Sequence, residues 1–302
     1  MPRTIGFVGV GIMGRRMCGN LLKAGFPVVA YDVNPAGVKT VVALGASAAS
    51  DLPALARQVN VALCSLPDPA AVLAVTEGPH ALLAHLHPGS YLCDTSTVDP
   101  ATARRVFEAA RTKGIRALDC PVSGGPTGAE AGTLTIMVGG EAADLEAVRP
   151  VLSAIGKKIV HCGGPGSGQG AKLVNQALVA IHTTAALEAL LVGRKLGLGM
   201  DTMVSILRSS SGASWILENH LRVKALAGDY APGFALDLMF KDLCLFLQTA
   251  TEAKVPAFIA GPALQLYNTA RAAGHGALDQ TVVAREMEKL AGIQLGRISP
   301  TE

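Results

Sequence analysis

Charge is what this chain has least of. Only 16% of its 302 residues are Asp, Glu, Lys or Arg, against about a quarter in ordinary soluble domains. The formal net charge of +3 is too weak to draw a nucleic-acid partner. Aromatic residues are scarce as well, at 4%. The apolar half of the composition therefore rests on Ala, Val and Leu, with 34 Gly beside them. Disorder is excluded, because so apolar a chain buries enough surface to offset its ordering entropy. Paired cysteines are missing too. The six Cys stand at 18, 64, 93, 120, 162 and 244, with no C-x-x-C spacing. That argues against a zinc site or disulfide framework and fits reduced thiols in the cytoplasm. The seven His form no ligand group; His85 and His87, in AHLHPGS, read as solvated loop residues. No metal is expected.

Long uninterrupted apolar runs are also absent. The most apolar window, residues 175–193, has the length to cross a bilayer. It carries Asn175, Gln176, His182 and Glu188, however, and is flanked by Lys172, Arg194 and Lys195. It reads as a buried helix, not a membrane span. The opening MPRTIGFVGVG runs straight into a glycine-rich turn, so no leader of the signal-peptide type is expected. At this length two domains are the default.

What is there begins with alternation. Residues 4–10, 28–32, 61–66, 91–94, 115–119, 132–139 and 158–162 read as strands. Helical patterns at 11–24, 69–75 and 100–113 lie between them. Such alternation implies a parallel sheet covered by helices on both faces. The composition breaks at residues 163–170, GGPGSGQG, where five of eight residues are Gly. The domain boundary is placed there, giving residues 1–163 and 164–302. Beyond it the patterns are helical: 168–196, 201–208, 214–226, 236–253, 256–273 and 280–291. The expected fold is an α/β Rossmann-type N-terminal domain and an all-α C-terminal domain, joined by the long helix 168–196.

Gly9-Val10-Gly11-Ile12-Met13-Gly14 is a G-x-G-x-x-G between a strand and a helix. Gly9 permits the tight turn, Gly11 lets a pyrophosphate approach, and Gly14 allows close helix–strand packing. The helix N-terminus supplies N–H donors to the phosphates. Asp32 ends the second strand, where a carboxylate accepts bonds from ribose hydroxyls and repels a 2′-phosphate. Val33 follows and no Arg is adjacent, which favours NAD over NADP. The cofactor set at this end is Gly9, Gly11, Ile12, Met13, Gly14, Asp32 and Asn34.

Two further stretches carry chemistry. Asp119-Cys120-Pro121-Val122-Ser123-Gly124-Gly125-Pro126 leaves a strand for a glycine-rich loop. It is either a nest for a carboxylate or a plain tight turn. In Gly168-Gln169-Gly170-Ala171-Lys172-Leu173-Val174-Asn175-Gln176, helical spacing puts Lys172, Asn175 and Gln176 on one face. These residues are either a solvated first turn or a buried acid–base site, for which Lys is suited because burial readily lowers its pKa.

GFVGVGIMGRRMCGNLLKAG, LDCPVSGGPTGAEAGTLTIMVGG, GSGQGAKLVNQ and FALDLMFKDL, in that order, resemble the motifs of the β-hydroxyacid dehydrogenase family, which includes 3-hydroxyisobutyrate dehydrogenase and tartronate semialdehyde reductase. The resemblance runs over nearly the whole chain. It implies an oxidoreductase that moves a hydride between NAD and the 3-hydroxyl, or semialdehyde, of a small β-hydroxyacid. It implies Lys172 as general acid and base, with Asn175 holding the substrate and Ser123, Gly124 and Gly125 binding its carboxylate. It further implies Leu66, Pro67 and Thr97 beside the nicotinamide, and Lys241 reaching the cofactor. Gln176 stands where some members have a second Asn. The acid itself is left open among 3-hydroxyisobutyrate, 3-hydroxypropionate, glycerate, L-serine, threonate and sulfonate analogues. Imine reductases share the architecture but lack the lysine; a silent NAD-binding module would lack Lys172 or the Ser123 loop. A monomer of this mass exposes roughly 12,000 Å², thinly covered by so few charges, so a homodimer or homotetramer is expected.

Overall fold

The structure, a computed structural model, describes residues 3–298. The chain divides into two compact units between Leu173 and Val174. The first holds one nine-stranded sheet. Its strands are β1 (Ile5–Val8), β2 (Val28–Tyr31), β3 (Ser47–Ala48), β4 (Val61–Cys64), β5 (Tyr91–Asp94), β6 (Arg116–Asp119), β7 (Val122–Ser123), β8 (Leu134–Gly139) and β9 (Gly156–Gly163). They lie in the order β3-β2-β1-β4-β5-β6-β8-β7, with β9 pairing β8. The six strands β1 to β6 run parallel. Strand β8 is antiparallel to β6 and β7 and parallel to β9.

The expected parallel sheet is therefore mixed. The reversal is local: Gly124, Gly125 and Gly132 hold φ of +130°, +61° and +64°, a region that L side chains avoid. They bracket α6 (Gly125–Ala131), which turns the chain back into β8. Strands buried on both faces explain the continuous apolar runs. Ile5, Phe7, Leu63 and Leu118 face one core with Met17, Leu21, Leu145 and Val148, from α1 (Gly14–Lys23) and α7 (Ala142–Ser153). Val8, Ala62, Leu92 and Ala117 face the other core. There they meet Leu55 of α3 (Leu52–Ala56), Val72 of α4 (Pro69–Thr76) and Val106 of α5 (Pro100–Arg111).

Local chemistry starts several of these helices in one way. Asn34, Asp51, Asp68 and Asp99 each accept an N–H two or three residues on, and a Pro stands at the first or second helical position of α2 (Pro35–Val42), α3, α4 and α5. The carboxylate or amide satisfies an orphan donor, and Pro gives up an N–H the helix does not use. Helix α1 opens at Gly14, with residues 11–13 in a turn, later than the expected start at residue 11.

The second unit is helical. Helix α8 (Ser167–Lys195) leads into it and is followed by α9 (Met200–Arg208), α10 (Leu236–Glu252), α11 (Ala260–Ala272) and α12 (Val283–Ala291). Among the described helices α8 is the one long and apolar enough to cross a membrane. Its Leu187, Leu190 and Leu191 are buried with Met203, Met239, Tyr267 and Met287 in the unit's core. Gly193 admits Met203 so closely that an added Cβ would lie 2.1 Å from its sulfur. The helix expected over residues 214–226 is instead a π turn at Leu217–Leu221 and a 3₁₀ turn at Ala225–Ala227. The reason is tertiary. Buried Asp279 accepts from His220 Nε2 at 3.0 Å, from the Phe234 N–H at 3.0 Å and from the Thr281 N–H at 3.0 Å, and this fixes the irregular segment between them.

Two outcomes follow for stability. Asp51 accepts the Ala54 N–H at 2.6 Å; Asp51→Ala is expected to cost about 1 kcal/mol and lower Tm by about 2–4 °C, with Asp51→Asn near wild type. Burial alone would raise the Asp279 carboxyl, but its bonds to His220, Phe234 and Thr281 hold it below the ordinary value. A lowered folded pKa stabilises above the unfolded value of about 3.9 and is lost as pH falls through the folded one. Urea unfolding across pH should therefore show Asp279→Ala weaker by about 1–3 kcal/mol at neutral pH, with the gap closing only in acid.

Candidate active site

The order β3-β2-β1-β4-β5-β6 reverses direction between β1 and β4, and open α/β sheets bind ligands outside the strand ends at such a point. The sequence-predicted residues of the first unit gather at this edge: Gly9 after β1, Asp32 after β2, Leu66 and Pro67 after β4, Thr97 after β5, and Ser123 in β7 after β6. The three glycines divide their labour. A Cβ on Gly9 would lie 2.3 Å from the Ser65 carbonyl oxygen, and one on Gly14 would lie 1.9 Å from that of Gly9. These two are forced by the fold. A Cβ on Gly11 would meet no atom within 4 Å, so the space it leaves faces away from the protein. Helix α1 has no side-chain cap and no acid in its first turn. A dinucleotide phosphate fits these features.

Asp32 has bonds of its own within the fold. Its Oδ2 accepts the Val10 N–H at 2.7 Å and its Oδ1 accepts the Asn34 N–H at 2.7 Å. The carboxylate thus ties the glycine turn to the end of β2. Asn34 spends its Oδ1 on the Ala36 N–H at 3.0 Å, capping α2. Val33 is 90% exposed.

The segment after β6 is neither a bare turn nor a loop. Ser123 pairs with Thr135 of β8, Gly124 and Gly125 follow at positive φ, and α6 starts at once. At the end of β4, burial first and then the Asp94 charge push the Cys64 thiol well up, so this cysteine is not a thiolate at neutral pH.

The two readings of residues 168–176 are now separated. Lys172 is only 7% exposed, Gln169 0% and Gln176 4%. This is a buried polar face, not a solvated turn. Two residues that the sequence analysis left without a role hold it in place. Asp119, at the end of β6, accepts the Gly166 N–H at 2.8 Å and the Gln169 N–H at 2.8 Å. It sits where added Cβ atoms on Gly139 and Gly168 would collide with it. Burial raises its carboxyl despite these N–H donors. Gln169 donates from Nε2 to the Ser96 carbonyl at 2.8 Å and accepts the Val98 N–H at 3.1 Å. An acid ending a strand and a Gln three residues before the Lys were the signals available.

In the second unit Asn175 Nδ2 donates to Gln176 Oε1 at 3.0 Å, and Gln176 Nε2 donates to Asp242 Oδ2 at 2.6 Å. Lys241 Nζ stands 2.9 Å from Asp242 Oδ1. A carboxylate only accepts, so Asp242 fixes which way the Gln176 amide faces. That amide in turn leaves Asn175 Oδ1 as the acceptor turned away from it. Among the described residues no group of three His, Cys, Asp or Glu could hold a metal ion.

Residues 4–164 match the NAD binding domain of 6-phosphogluconate dehydrogenase. Residues 166–287 match the domain described as NAD-binding of NADP-dependent 3-hydroxyisobutyrate dehydrogenase. The chain is 41% identical to 2-(hydroxymethyl)glutarate dehydrogenase of Eubacterium barkeri over 291 residues, 96% of this chain and 97% of that one. It is 37% identical to NAD-dependent L-serine dehydrogenase of Pseudomonas aeruginosa, over 96% of this chain and 99% of the other. The solved Mycobacterium tuberculosis 3-hydroxyisobutyrate dehydrogenase with L-serine superposes with a TM-score of 0.88 at 33% identity, covering 95% of this chain and 99% of that one. With dinucleotide fold, glycine turn and buried lysine helix in one chain, this protein belongs to the β-hydroxyacid (3-hydroxyisobutyrate) dehydrogenase family of NAD(P)-dependent oxidoreductases.

Proposed function

We propose that the enzyme oxidises the primary 3-hydroxyl of a small β-hydroxyacid to a semialdehyde, or runs the reverse, with NAD as its preferred cofactor and Lys172 as general acid and base. The observation that carries this is a lysine 7% exposed, one turn inside an anchored helix, three residues before Asn175. NAD supplies the hydride acceptor. Lys172, as the neutral amine, takes the hydroxyl proton as the C3–H bond breaks; as the ammonium it returns that proton in reduction. Asn175 holds the hydroxyl, and Ser123, Gly124 and Gly125 hold the substrate carboxylate. Gly9, Gly11, Ile12, Met13, Gly14, Asp32, Asn34, Leu66, Pro67 and Thr97 are assigned to the cofactor.

The relatives' names support the substrate class. 2-(Hydroxymethyl)glutarate, L-serine and 3-hydroxyisobutyrate each carry a CH₂OH beside the carbon that bears a carboxylate; they differ only at that carbon's other substituent. We assign this chain a 2-substituted 3-hydroxypropanoate, 3-hydroxyisobutyrate-like, with tartronate semialdehyde, sulfolactaldehyde and threonate as the alternatives to include in the assay.

A homo-oligomer built on α8 accounts for Val174, Leu178 and Val192, exposed by 49–57% along one stripe of that helix. Sedimentation of the purified protein as a dimer or tetramer is expected, and a monomer at micromolar concentration would refute it. Six free cysteines support a cytoplasmic location.

Lys172→Ala is expected to lose about 10²–10⁴-fold in turnover, read as absorbance at 340 nm with that panel of acids, while NAD binding persists. Near-normal turnover would overturn the assignment. Asp32→Ser should lower the NAD/NADP ratio of kcat/KM by about tenfold or more, because the carboxylate that repels a 2′-phosphate is gone. Loss of its tether to Val10 affects both cofactors alike, so an unchanged ratio would refute the ribose role.

A further inference from the structure

We propose that Gln169 is a positioning residue that locks the loops beside the cofactor to the helix bearing Lys172. The proposal rests on the reading of Lys172 as acid and base. Gln169 has no solvent exposure, yet each polar atom of its amide is used. Oε1 accepts the Val98 N–H at 3.1 Å, and Nε2 donates to the Ser96 carbonyl at 2.8 Å. Ser96 Oγ in turn accepts the Leu66 N–H at 2.8 Å. One side chain therefore joins the first turn of α8 to the loop after β5, and through it to the loop after β4. These are the loops that carry Leu66, Pro67 and Thr97.

Two anchors are needed because they restrain different motions. The Asp119 carboxylate accepts the Gly166 and Gln169 N–H groups. It meets the end of the helix along the axis, where the N-terminal dipole favours a negative charge. That bond fixes how far α8 can slide but leaves it freer to turn. The Gln169 amide reaches sideways and fixes the turn. Residues three apart share a helical face, so any rotation that breaks the amide's bonds turns Lys172 with it. The proton leaves the hydroxyl oxygen and the hydride leaves the carbon that bears it, so both transfers need one alignment, and a displacement of about 1 Å costs on the order of 10²-fold in rate.

The site also dictates the side chain. A backbone N–H and a backbone carbonyl face Gln169, so the residue must present one acceptor and one donor at that length. Met offers neither, and an ionised Glu offers two acceptors. A neutral Glu restores the pair, its carbonyl accepting from Val98 and its O–H donating to Ser96.

The test measures kcat, KM for NAD and the primary deuterium isotope effect in Gln169→Met, with L-serine and 3-hydroxyisobutyrate carrying hydrogen or deuterium at C3. The expected result is a kcat about 10- to 100-fold lower, a KM for NAD within threefold of wild type, and a larger isotope effect, because hydride transfer has become the slow step. A role confined to stability would lower Tm and leave the isotope effect of the folded enzyme unchanged. Gln169→Glu provides the second arm and keeps the length. In the reductive direction its kcat should recover towards wild type as pH falls, over and above the wild-type pH profile. Normal kcat and isotope effect in Gln169→Met, or no added recovery in Gln169→Glu, would overturn the proposal. Lys172→Ala run in parallel separates the two readings: if it is inactive while Gln169→Met is normal, only the lock fails; if it is active, the acid–base reading fails.

Discussion

The buried carboxylate of Asp119 meets the start of α8, and much of the remaining arrangement depends on that meeting. An acid in so dry a place is costly unless its oxygens are satisfied. Here the Gly166 and Gln169 N–H groups satisfy them, and the helix dipole adds to the attraction. Glycine at 139 and 168 leaves the room that the carboxylate occupies. The bond is reciprocal: it removes orphan donors from a helix start and gives a buried charge its partners. Once the first turn is fixed against β6 and β8, helical geometry alone sets the directions of Lys172, Asn175 and Gln176.

The same helix performs two tasks that pull in opposite directions. Its Leu187, Leu190 and Leu191 build the core of the second unit, which asks for apolar residues. Its early turns bury Gln169, Lys172 and Gln176, which asks for partners. Each amide has found them: Gln169 on the backbone of Ser96 and Val98, Gln176 on Asp242. A chain with only 16% charged residues still places Asp119, Lys172, Asp242 and Asp279 inside, and three of these four carry the hydrogen bonds that hold irregular or functional segments.

Much of the first unit was legible because its signals are local. Apolar runs gave β1, β2, β4, β5, β6, β8 and β9, and helical patterns gave α4 and α5; α2 and α3 went unread, although Asn34-Pro35 and Asp51-Leu52-Pro53 stand at their starts. Helix α7 went unread although Leu145, Val148 and Leu152 carry its period, because Pro150 and the glycines before it mask the pattern. The antiparallel turn of β7 and β8 was not legible, since strand direction depends on which neighbour a strand finds. In the second unit, residues 214–226 carry a helical pattern that loses to the bonds gathered by Asp279. Of the site, Lys172 and Asn175 were visible as polar residues on an apolar helix. Asp119 and Gln169 were in view too, but nothing local says that one caps the other's helix.

By itself the sequence determined the glycine turn with its acid, the two-part organisation, the long helix and the polar residues that face together along it. These rest on spacing, and spacing is a property of neighbours in the chain. The tertiary structure decided that Gly9 and Gly14 are packing requirements while Gly11 is left open. It decided that Lys172 is buried rather than solvated, and that Asp32 ties the glycine turn to the end of β2. It also decided that the register of α8 is set by residues some fifty to seventy positions earlier. Those outcomes depend on which backbone groups lack a partner once the sheet has formed, and that is known only when the strands have been brought side by side.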